Sequence, residues 1–499
     1  MNVLILDHHF RQDIEALLLA NDRAHVVRTV SPQCFARVAE RHFPGDVFDA
    51  DLSTYHAPEL ARVREAYGRV AIRLLFDLYK VFPFDLFVSP SDTFFYLRDA
   101  IDGCRDLGVP FVVVQKEAGV SAKALTKHAG EMRRWFPFKG DWMTTGSQKS
   151  RDFWVASGAN RERVSVVGQP RFDYYRRSER WPARPDGEKP TLLFLSYDLD
   201  AYDEERGLGG AHRPWQRIHL ETEDVLKEIA AGGRTRVLVK PHPQQSAEAL
   251  AAIARRLEHV PGLKLLHGGA DTRDLVVTSD VIVGFQTTAL AEAMAAGKRV
   301  IYTFWTEAVE QAKHLLLPFH ELAACIDVAT SPEDLRRRLA SPPDGGPTEA
   351  QMRERMAFVE EYLGPIDGHA SERVWRVLEE RVAATPPLTG AAMALRRRLR
   401  AETGGFARRE ARRAARRALV RSAAVRTARL LAGLTAQVTQ RLAERRDAER
   451  ERVVECHEAL ADTYRPVGRL VGNDEENLAR TVVSFVFRRL RRALRFGPS

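Results

Sequence analysis

Short apolar strands alternate with helical patterns twice along this chain, once before and once after the polar, proline-rich stretch 178–190. The strand segments are 3–6, 85–90, 109–115, 142–147 and 163–170 in the first series, and 191–196, 235–243, 263–268, 280–285, 299–304 and 325–330 in the second. Helical spacing follows at 58–80, 93–107, 149–157, 215–231, 246–258, 288–297 and 331–340. Strands that alternate with helices form parallel sheets covered by helices on both faces. The sequence therefore predicts two doubly wound α/β domains.

The composition divides the chain at similar places. Its 499 residues are too many for one compact core. We expect a first domain at 1–180, a linker around 178–190, a second domain at 188–384 and a tail at 390–499. The tail holds 26 arginines, no lysine and 12 acidic residues, a charge of +14, whereas residues 1–389 carry −5. The net charge of +9 therefore belongs to the tail and does not make the whole protein a nucleic-acid binder.

The tail is predicted to be helical and basic. Arginine and alanine dominate 396–450, and the segment 481–496 combines arginines with aromatic residues in an amphipathic pattern. A basic amphipathic helix suits the surface of an anionic membrane. Self-association through this segment and, last, an RNA-binding arm are the alternatives.

Several classes of protein are excluded by what the chain does not contain. Its four cysteines form no CxxC pair and fit neither a disulfide framework nor a zinc site. No secretory signal and no apolar run of membrane-spanning length is visible. We expect a cytoplasmic protein, peripheral on the inner face of the cell membrane if the tail binds it. The chain has no P-loop, GxGxxG, HExxH or GxSxG motif. We expect no required metal or other cofactor.

Two strand ends in the second series carry anion-binding patterns. Lys240, Pro241, His242 and Pro243 directly follow a strand, where ligands of open parallel sheets bind. The prolines stiffen the turn, so that His242 and Lys240 are held for a phosphate. The second pattern runs from Gly284 through Gln286, Thr287 and Thr288 into a helix. Helix N-termini bind anions, and Thr287 suits both an N-cap and a phosphate contact. Glu292, one turn further, suits a ribose diol or complements the helix dipole.

Two loops of the first series are candidates for the acceptor side. Residues 115–119 read Gln-Lys-Glu-Ala-Gly after a strand, and Glu117 is the candidate general base, although a lone glutamate in a loop is often merely solvated. The remaining candidates for acceptor binding are Lys116, Gly119, Lys123 and His128. The turn at 168–173 shapes the hinge before the linker, and Arg171 in it is a candidate phosphate contact.

At these residues the sequence resembles the GT-B glycosyltransferase superfamily. Within it, the chain is similar to the group of CDP-glycerol glycerophosphotransferases, capsule polysaccharide transferases and related surface-carbohydrate biosynthesis proteins. The resemblance rests on VVVQKEAG (112–119), TTGSQKSRDFWVASGANRERVSVVGQPRFD (144–173), VLVKPHP (237–243) and SDVIVGFQTTALAEAMAAGKRVI (279–301).

The resemblance implies two facing Rossmann-like domains, with the donor held mainly by the second. It implies that His242, Thr287 and Thr288 bind the donor phosphates and that Glu292 binds the ribose. Many glycerophosphotransferases have a histidine in a His-Gly motif as the base, whereas this chain has Gln-Lys-Glu-Ala-Gly at 115–119. This difference makes Glu117 the better candidate for the base.

The expected function is transfer of a sugar, or a sugar-phosphate-like group, from a CMP-, CDP- or UDP-linked donor. The acceptor is a hydroxyl of a surface polysaccharide, glycan or lipid-linked glycan. In this mechanism Glu117 takes the hydroxyl proton, while His242, Lys240 and the helix start stabilise the leaving phosphate. The alternatives are a nucleotide-sugar epimerase of the same fold and a non-catalytic protein of polysaccharide assembly.

Overall fold

The computed structural model describes residues 1–7, 10–21, 25–47, 53–116, 128–182, 188–197, 214–242, 245, 247–266, 270–341 and 346–402. These residues form a pair of six-stranded sheets, and every strand pair in both is parallel. The predicted fold class of two Rossmann-like α/β domains is confirmed. The Arg-rich tail beyond 402 lies outside the described residues.

The first sheet is built from the strands of residues 1–170. They are Asn2–Leu6 (β1), Val26–Val30 (β2), Leu86–Ser89 (β3), Phe111–Val114 (β4), Trp142–Thr145 (β5) and Val164–Val166 (β6). The helices are Arg11–Ala20 (α1), Gln33–Ala39 (α2), Ala61–Val81 (α3), Arg98–Leu107 (α4), Ala129–Trp135 (α5) and Gln148–Ala156 (α6), and a 3-10 segment covers Pro170–Arg176. Further short 3-10 turns lie at Gly45–Val47, Thr54–His56, Pro58–Leu60, Arg161–Arg163 and Ser178–Arg180.

The second sheet follows the linker. Its strands are Thr191–Leu195 (β7), Arg236–Lys240 (β8), Leu263–Leu265 (β9), Val281–Gly284 (β10), Arg299–Thr303 (β11) and Asp327–Ala329 (β12). The helices are Pro214–Ala231 (α7), Ala247–Leu257 (α8), Thr272–Thr278 (α9), Thr288–Ala295 (α10), Glu307–Ala312 (α11), Pro332–Ala340 (α12), Glu349–Tyr362 (α13) and Ala370–Ala383 (α14), with 3-10 turns at Lys313–Leu315 and Phe319–Leu322.

The order of strands predicts where a ligand would bind in the second domain. The first sheet runs β2-β1-β3-β4-β5-β6 and the second runs β12-β11-β10-β7-β8-β9. In the second sheet, the first three strands in sequence form one half and the last three form the other half, which is the strand order of a doubly wound Rossmann-like sheet. The order of strands along the sheet reverses between β7 and β10. Ligands of such sheets bind outside the carboxyl ends of the strands at this point.

Local sequence explains where the helices begin and end. Side-chain oxygens of Ser147, Asp271, Thr287, Ser331 and Thr348 accept hydrogen bonds from backbone N–H groups in the first turns of α6, α9, α10, α12 and α13. Helix α4 ends at Gly108, whose φ of 63° lies in the left-handed region that glycine adopts without strain. Strand β4 consists of a phenylalanine and three valines and is buried along its whole length, as expected for a parallel sheet covered on both faces.

The last long helix of the second series belongs to the core of the first sheet. Val374, Trp375 and Leu378 on α14 pack with Val3, Ile5 and other residues on one face of that sheet. The indole Nε1 of Trp375 donates to the carbonyl of Leu17 at 2.8 Å. The segment 388–399 also contacts the first domain, because Arg396 donates to the carbonyls of Leu107 and Gly108. The boundaries 1–180 and 188–384 stay a prediction.

Asp173 fixes the start of α14. The Asp173 carboxylate accepts hydrogen bonds from the backbone N–H groups of Ala370 at 2.9 Å and of Ser371 at 2.8 Å. Asp173 is 3% exposed. We expect Asp173→Ala to lower the free energy of unfolding by about 2 kcal/mol, because two buried helix N–H groups lose their acceptor.

Urea unfolding of the purified variant measures this effect. The control is Asp367→Ala, which removes a carboxylate from the same turn that is 47% exposed and paired with Arg373. Its expected cost is below about 1 kcal/mol. Equal losses in the two variants would contradict the role assigned to Asp173.

Several elements of the structure lack a counterpart in the sequence-based prediction. No structure was expected for α1, β2 and α2, and α5, α9 and α11 were overlooked. Strand β2 is an edge strand with mostly exposed or half-exposed residues, so it lacks the apolar run of the central strands. Among the described residues no helix has the length and apolar character needed to cross a membrane.

Candidate functional site

The two anion-binding patterns lie on the same edge of the second sheet. Lys240 at the end of β8 pairs with Leu195 of β7, and Leu195 pairs with Gly284 at the end of β10. Only β7 separates the two patterns, which places the strand ends about 10 Å apart. His242, half-exposed, follows β8 directly. The two strand ends therefore lie on either side of β7, next to the point where the order of strands reverses.

Helix α10 begins where the sequence predicts. Thr287 is its N-cap, with φ −115° and ψ 136°, and its Oγ1 accepts from the backbone N–H of Ala289 at 3.3 Å. Thr288 is the first helical residue. The remaining N–H groups of this first turn are the ones that a helix start offers to an anion.

The side chain of Gln286 is engaged elsewhere. Its Nε2 donates to the Tyr302 hydroxyl at 2.8 Å and to the carbonyl of Leu317 at 2.9 Å, while its Oε1 accepts from the N–H of Leu317 at 2.8 Å. These bonds accompany a backbone φ of 39° at Gln286, which is uncommon for residues other than glycine. The structure thus places the amide of Gln286 against the 317 loop of its own domain.

Glu292 lies in a buried contact between the two domains. The hydroxyl of Tyr175 donates to its Oε2 at 2.5 Å, and both residues are at least nine-tenths buried. Burial raises the pKa of Glu292, and the charges of Arg171 and Arg273 and the bond from Tyr175 oppose that rise. The predicted carboxylate therefore lies at a contact between the domains, where it accepts from a tyrosine that the sequence analysis did not single out.

Lys240 is a cation without a fixed partner among the residues that the structure describes. No described residue forms an ion pair or hydrogen bond with its ammonium, although Asp271 and Glu292 both act on it electrostatically. Burial lowers the pKa of Lys240, and the two carboxylates oppose that change. A half-buried ammonium near two carboxylates, at a strand end, is well placed to neutralise a phosphate.

Arg171 reaches the same region from the first domain. Its backbone N–H donates to Asp13 Oδ1 at 3.2 Å and its Nη1 to Asp13 Oδ2 at 3.3 Å. The same Nη1 donates to the carbonyl of Lys116 at 2.8 Å. Asp13 is 1% exposed, and burial raises its pKa, against the opposing effect of Arg171.

A second set of polar contacts joins the carboxyl edges of the two sheets. Gln12 Nε2 donates to Asp271 Oδ1 at 2.8 Å, and Arg273 pairs with Glu15 at 2.8 Å and with Asp271 at 2.7 Å. Burial alone would raise the pKa of Asp271, but the bond and the charge of Arg273 lower it overall. Because α1 follows β1 and Asp271 follows β9, the two carboxyl edges face each other.

The acceptor-side candidates are only partly described. Glu117, Gly119 and Lys123 lie outside the described residues. Lys116 contributes its carbonyl, which accepts from Arg171 and from Gln169 Nε2 at 3.0 Å. His128 precedes α5, where its Nδ1 lies 3.3 Å from Glu131 Oε2. The catalytic assignment of Glu117 stays a prediction.

No cluster of three or more histidine, cysteine or acidic side chains suited to a metal ion occurs among the described residues. The sequence analysis did not single out four polar residues that form the contacts described here: Asp13, Tyr175, Asp271 and Arg273. One signal for Asp13 is its position on the apolar face of a helix, next to the buried Ile14. The other three carry no distinguishing local pattern.

Comparison with known proteins adds information on the fold. No family model and no curated protein matches the chain. A Listeria monocytogenes protein assigned as a UDP-N-acetylglucosamine 2-epimerase is 14% identical, with a TM-score of 0.48 over 77% of this chain and 97% of that chain. The UDP-GlcNAc 2-epimerase of Neisseria meningitidis bound to UDP-GlcNAc is 14% identical, with a TM-score of 0.45 over 76% and 100%. A glycosyltransferase from Rickettsia africae is 12% identical, with a TM-score of 0.43 over 77% and 99%.

Similarity at this level concerns the fold alone. By their descriptions these structures are nucleotide-sugar epimerases and a glycosyltransferase, and the resemblance of this chain to the GT-B superfamily stays a prediction. The narrower resemblance to the CDP-glycerol glycerophosphotransferase group stays a prediction.

Proposed function

We propose that the protein is an enzyme that binds a nucleotide-activated sugar in the crevice between its two domains and transfers the sugar to a hydroxyl group. The observation that carries this proposal is the pair of cations at Glu292. Lys240 comes from the second domain and Arg171 from the first; the charge of Glu292 acts on Lys240, and the charge of Arg171 acts on Glu292. Beside them lies the start of α10. Cations and the backbone N–H groups of a helix start both bind phosphate groups, so this combination suits a diphosphate.

The proposed chemistry follows from this placement. The diphosphate lies against the first turn of α10, Lys240 and His242, which stabilise the charge that develops on the leaving nucleotide. Glu292 accepts hydrogen bonds from the ribose. Glu117 takes the proton of the acceptor hydroxyl as that oxygen attacks the sugar. Contacts between the domains exclude water from the reacting atoms.

We propose a surface polysaccharide or a lipid-linked glycan as the acceptor. The basic segment 390–499 supports this choice, because a positively charged segment is attracted to the anionic membrane surface where such acceptors are found. Of that segment, the described residues 390–402 are helical. Self-association through the tail is the alternative role, and both remain proposals. Placement of the protein in the cytoplasm, at the inner face of the membrane, belongs to the same proposal.

Nucleotide binding tests the proposed site. We expect one of CMP, CDP, UDP, GDP or a UDP-sugar to stabilise the protein, by about 2.7 kcal/mol at a hundredfold excess over Kd. His242→Ala should weaken that binding about tenfold to a hundredfold, because a hydrogen bond to a charged phosphate is lost. Isothermal titration calorimetry and thermal unfolding measure both effects.

The control for this substitution is His259→Ala. His259 is exposed and follows α8, on the opposite edge of the sheet from the crevice. Its substitution should leave nucleotide affinity unchanged. If no nucleotide binds, or if His242→Ala binds as tightly as the control, the proposed donor site is wrong.

A nucleotide-sugar epimerase is the second candidate. The observation that favours it is that two carboxylates, Asp271 bonded to Gln12 and Glu292 bonded to Tyr175, lie at the contact between the domains, since epimerisation needs several acid and base groups around one sugar. His242 follows β8 on the same edge of the second sheet. Incubation with a UDP-sugar and no acceptor separates the two activities. NMR would show a changed sugar configuration for an epimerase and an unchanged sugar for a transferase.

A further inference from the structure

The 3-10 segment Pro170–Arg176 connects three regions of the molecule. Arg171 bonds to Asp13 in the first domain, Asp173 caps α14, and Tyr174 donates to Asp274 Oδ1 at 2.5 Å in the second domain. Tyr175, between these contacts, donates to Glu292 at 2.5 Å. The side chains of four residues in this segment thus fix its position. Of these four residues, only Tyr175 donates a hydrogen bond to a side chain of the proposed donor site in the second domain.

The bond from Tyr175 engages one oxygen of Glu292 and leaves the other available. Tyr175 donates to Oε2, and among the described residues no group donates to Oε1. Glu292 is 9% exposed and follows the start of α10 by one turn. An ionised carboxylate oxygen accepts hydrogen bonds only, so the group that suits Oε1 is a hydroxyl donor beside the phosphate site.

Tyr175 is suited to a permanent donor role. It is 2% exposed, and burial together with the neighbouring charge of Glu292 raises its pKa well above the usual value, so that the phenol keeps its proton. A phenylalanine would fill the same space but would leave Oε2 without a donor. The hydroxyl therefore matters for the charge and orientation of Glu292 more than for packing.

We propose that Tyr175 is a positioning residue that holds Glu292 ionised and oriented, so that its Oε1 accepts a ribose hydroxyl of the nucleotide donor. This inference rests on the proposed function, because it assigns a further role within the same site. It adds that the segment Pro170–Arg176 of the first domain affects how the second domain binds the ribose.

Several charged groups face Glu292 and set the direction of the pH dependence. They are Arg171 on the segment of Tyr175, Lys240 at the end of β8, and Asp271 and Arg273 at the start of α9. Loss of the tyrosine hydroxyl removes a bond that favours the carboxylate, so the pKa of Glu292 rises. Ribose binding needs the ionised form. Affinity for the nucleotide is therefore lost as pH falls, and Tyr175→Phe moves this loss to higher pH.

The test compares UDP with 2′-deoxy-UDP in calorimetric titrations of the full chain. We expect Tyr175→Phe to bind UDP about tenfold more weakly at neutral pH, because a bond to a charged acceptor is lost. The matched control is Tyr174→Phe, which removes a hydroxyl bonded at the same distance to Asp274 and should stay within about twofold of the natural protein. The wild-type preference for UDP over 2′-deoxy-UDP should disappear in Tyr175→Phe and in Glu292→Gln.

The outcomes separate this inference from the proposed function. If CDP replaces UDP as the bound nucleotide, the same comparison is made with 2′-deoxy-CDP. If no nucleotide binds the natural protein, both ideas are wrong. If the natural protein binds a nucleotide but Tyr175→Phe has the same affinity, ribose preference and pH profile, only the inference is wrong. Should Tyr175→Phe fail to fold, Glu292→Gln and the wild-type pH profile still test the ribose contact, and unchanged ribose preference overturns it.

Discussion

Replacement of Gly364 by alanine should lower the free energy of unfolding by about 4 kcal/mol or more, at the upper end for single substitutions. Gly364 follows α13 with φ 91°, and its N–H donates to the carbonyls of Val359 and Glu360 at 3.1 Å. A Cβ there would lie 1.8 Å from the carbonyl oxygen of Gly146 and 2.6 Å from its carbonyl carbon. Both atoms are backbone atoms next to strand β5, so neither can move aside as a side chain would.

Two costs combine at this position, and a second glycine separates them. Gly297 also has a positive φ, 70°, but a Cβ built on it meets nothing within 4 Å. Gly297→Ala should therefore cost only the backbone term, about 1–2 kcal/mol. Gly364→Ala adds the steric overlap with Gly146. Urea unfolding of the two variants measures the difference.

The comparison also tests how the chain returns to the first domain. The crossing of Gly146 and Gly364 is the point where the chain leaves α13 for α14. Because α14 packs on the first sheet, a separation of the two backbones would disturb that core as well. Equal stability losses in the two alanine variants would mean that the backbones do not approach closely at this crossing.

The sequence was sufficient to locate the strand ends of the second domain. Periodicity placed β8 and β10, and the Gly284–Thr288 pattern gave the start of α10 to within one residue. These features depend on neighbouring residues, so a single sequence reveals them. The same local pattern was insufficient for Gln286, whose amide contacts Leu317, 31 residues away.

Long-range pairs explain what the sequence could not supply. Tyr175 and Glu292 are 117 residues apart, Arg171 and Asp13 are 158 apart, and Gln12 and Asp271 are 259 apart. No spacing rule connects such positions. Their partners are determined by the way the carboxyl edges of the two sheets meet, which composition and periodicity do not specify.

These pairs also give the site its electrical balance. Three carboxylates and three cations at this contact between the domains act on one another electrostatically, and most of them are largely buried. They are Asp13, Asp271, Glu292, Arg171, Arg273 and Lys240. A buried carboxylate keeps its charge only near a cation or a hydrogen-bond donor. Removal of one cation therefore affects both stability and protonation, and Arg171 is the cation with the most buried partner.

We expect Arg171→Met to lower the free energy of unfolding by about 3–5 kcal/mol at neutral pH, because Asp13 would remain buried without its cation. Asp13 is 1% exposed, and Arg171 is its only ion-pair partner among the described residues. Methionine preserves some of the contact with the ring of Phe172, which the guanidinium carbon approaches at 4.8 Å. The loss should therefore reflect charge more than packing, and urea unfolding measures it.

The pH dependence distinguishes the two contributions. Burial already raises the pKa of Asp13 above its unfolded value, and Arg171 opposes that rise. Without Arg171 the folded pKa rises further, so the folded state binds more protons than the unfolded state over a wider pH range. Stability of the variant then falls as pH rises through that range, and its deficit shrinks on acidification. In Arg176→Met, where the lost bond goes to the carbonyl of Ile366, the deficit should not depend on pH.

A double variant isolates the contribution of the buried charge. Asp13→Asn combined with Arg171→Met should be more stable than Arg171→Met alone at neutral pH, because an amide needs no cation when buried. Its deficit should also lose the pH dependence. If Arg171→Met costs less than about 1 kcal/mol and its deficit is constant between about pH 5 and 8, Asp13 does not depend on Arg171 for its charge. That result would also weaken the proposal that Arg171 and Lys240 are placed at Glu292 to bind the donor.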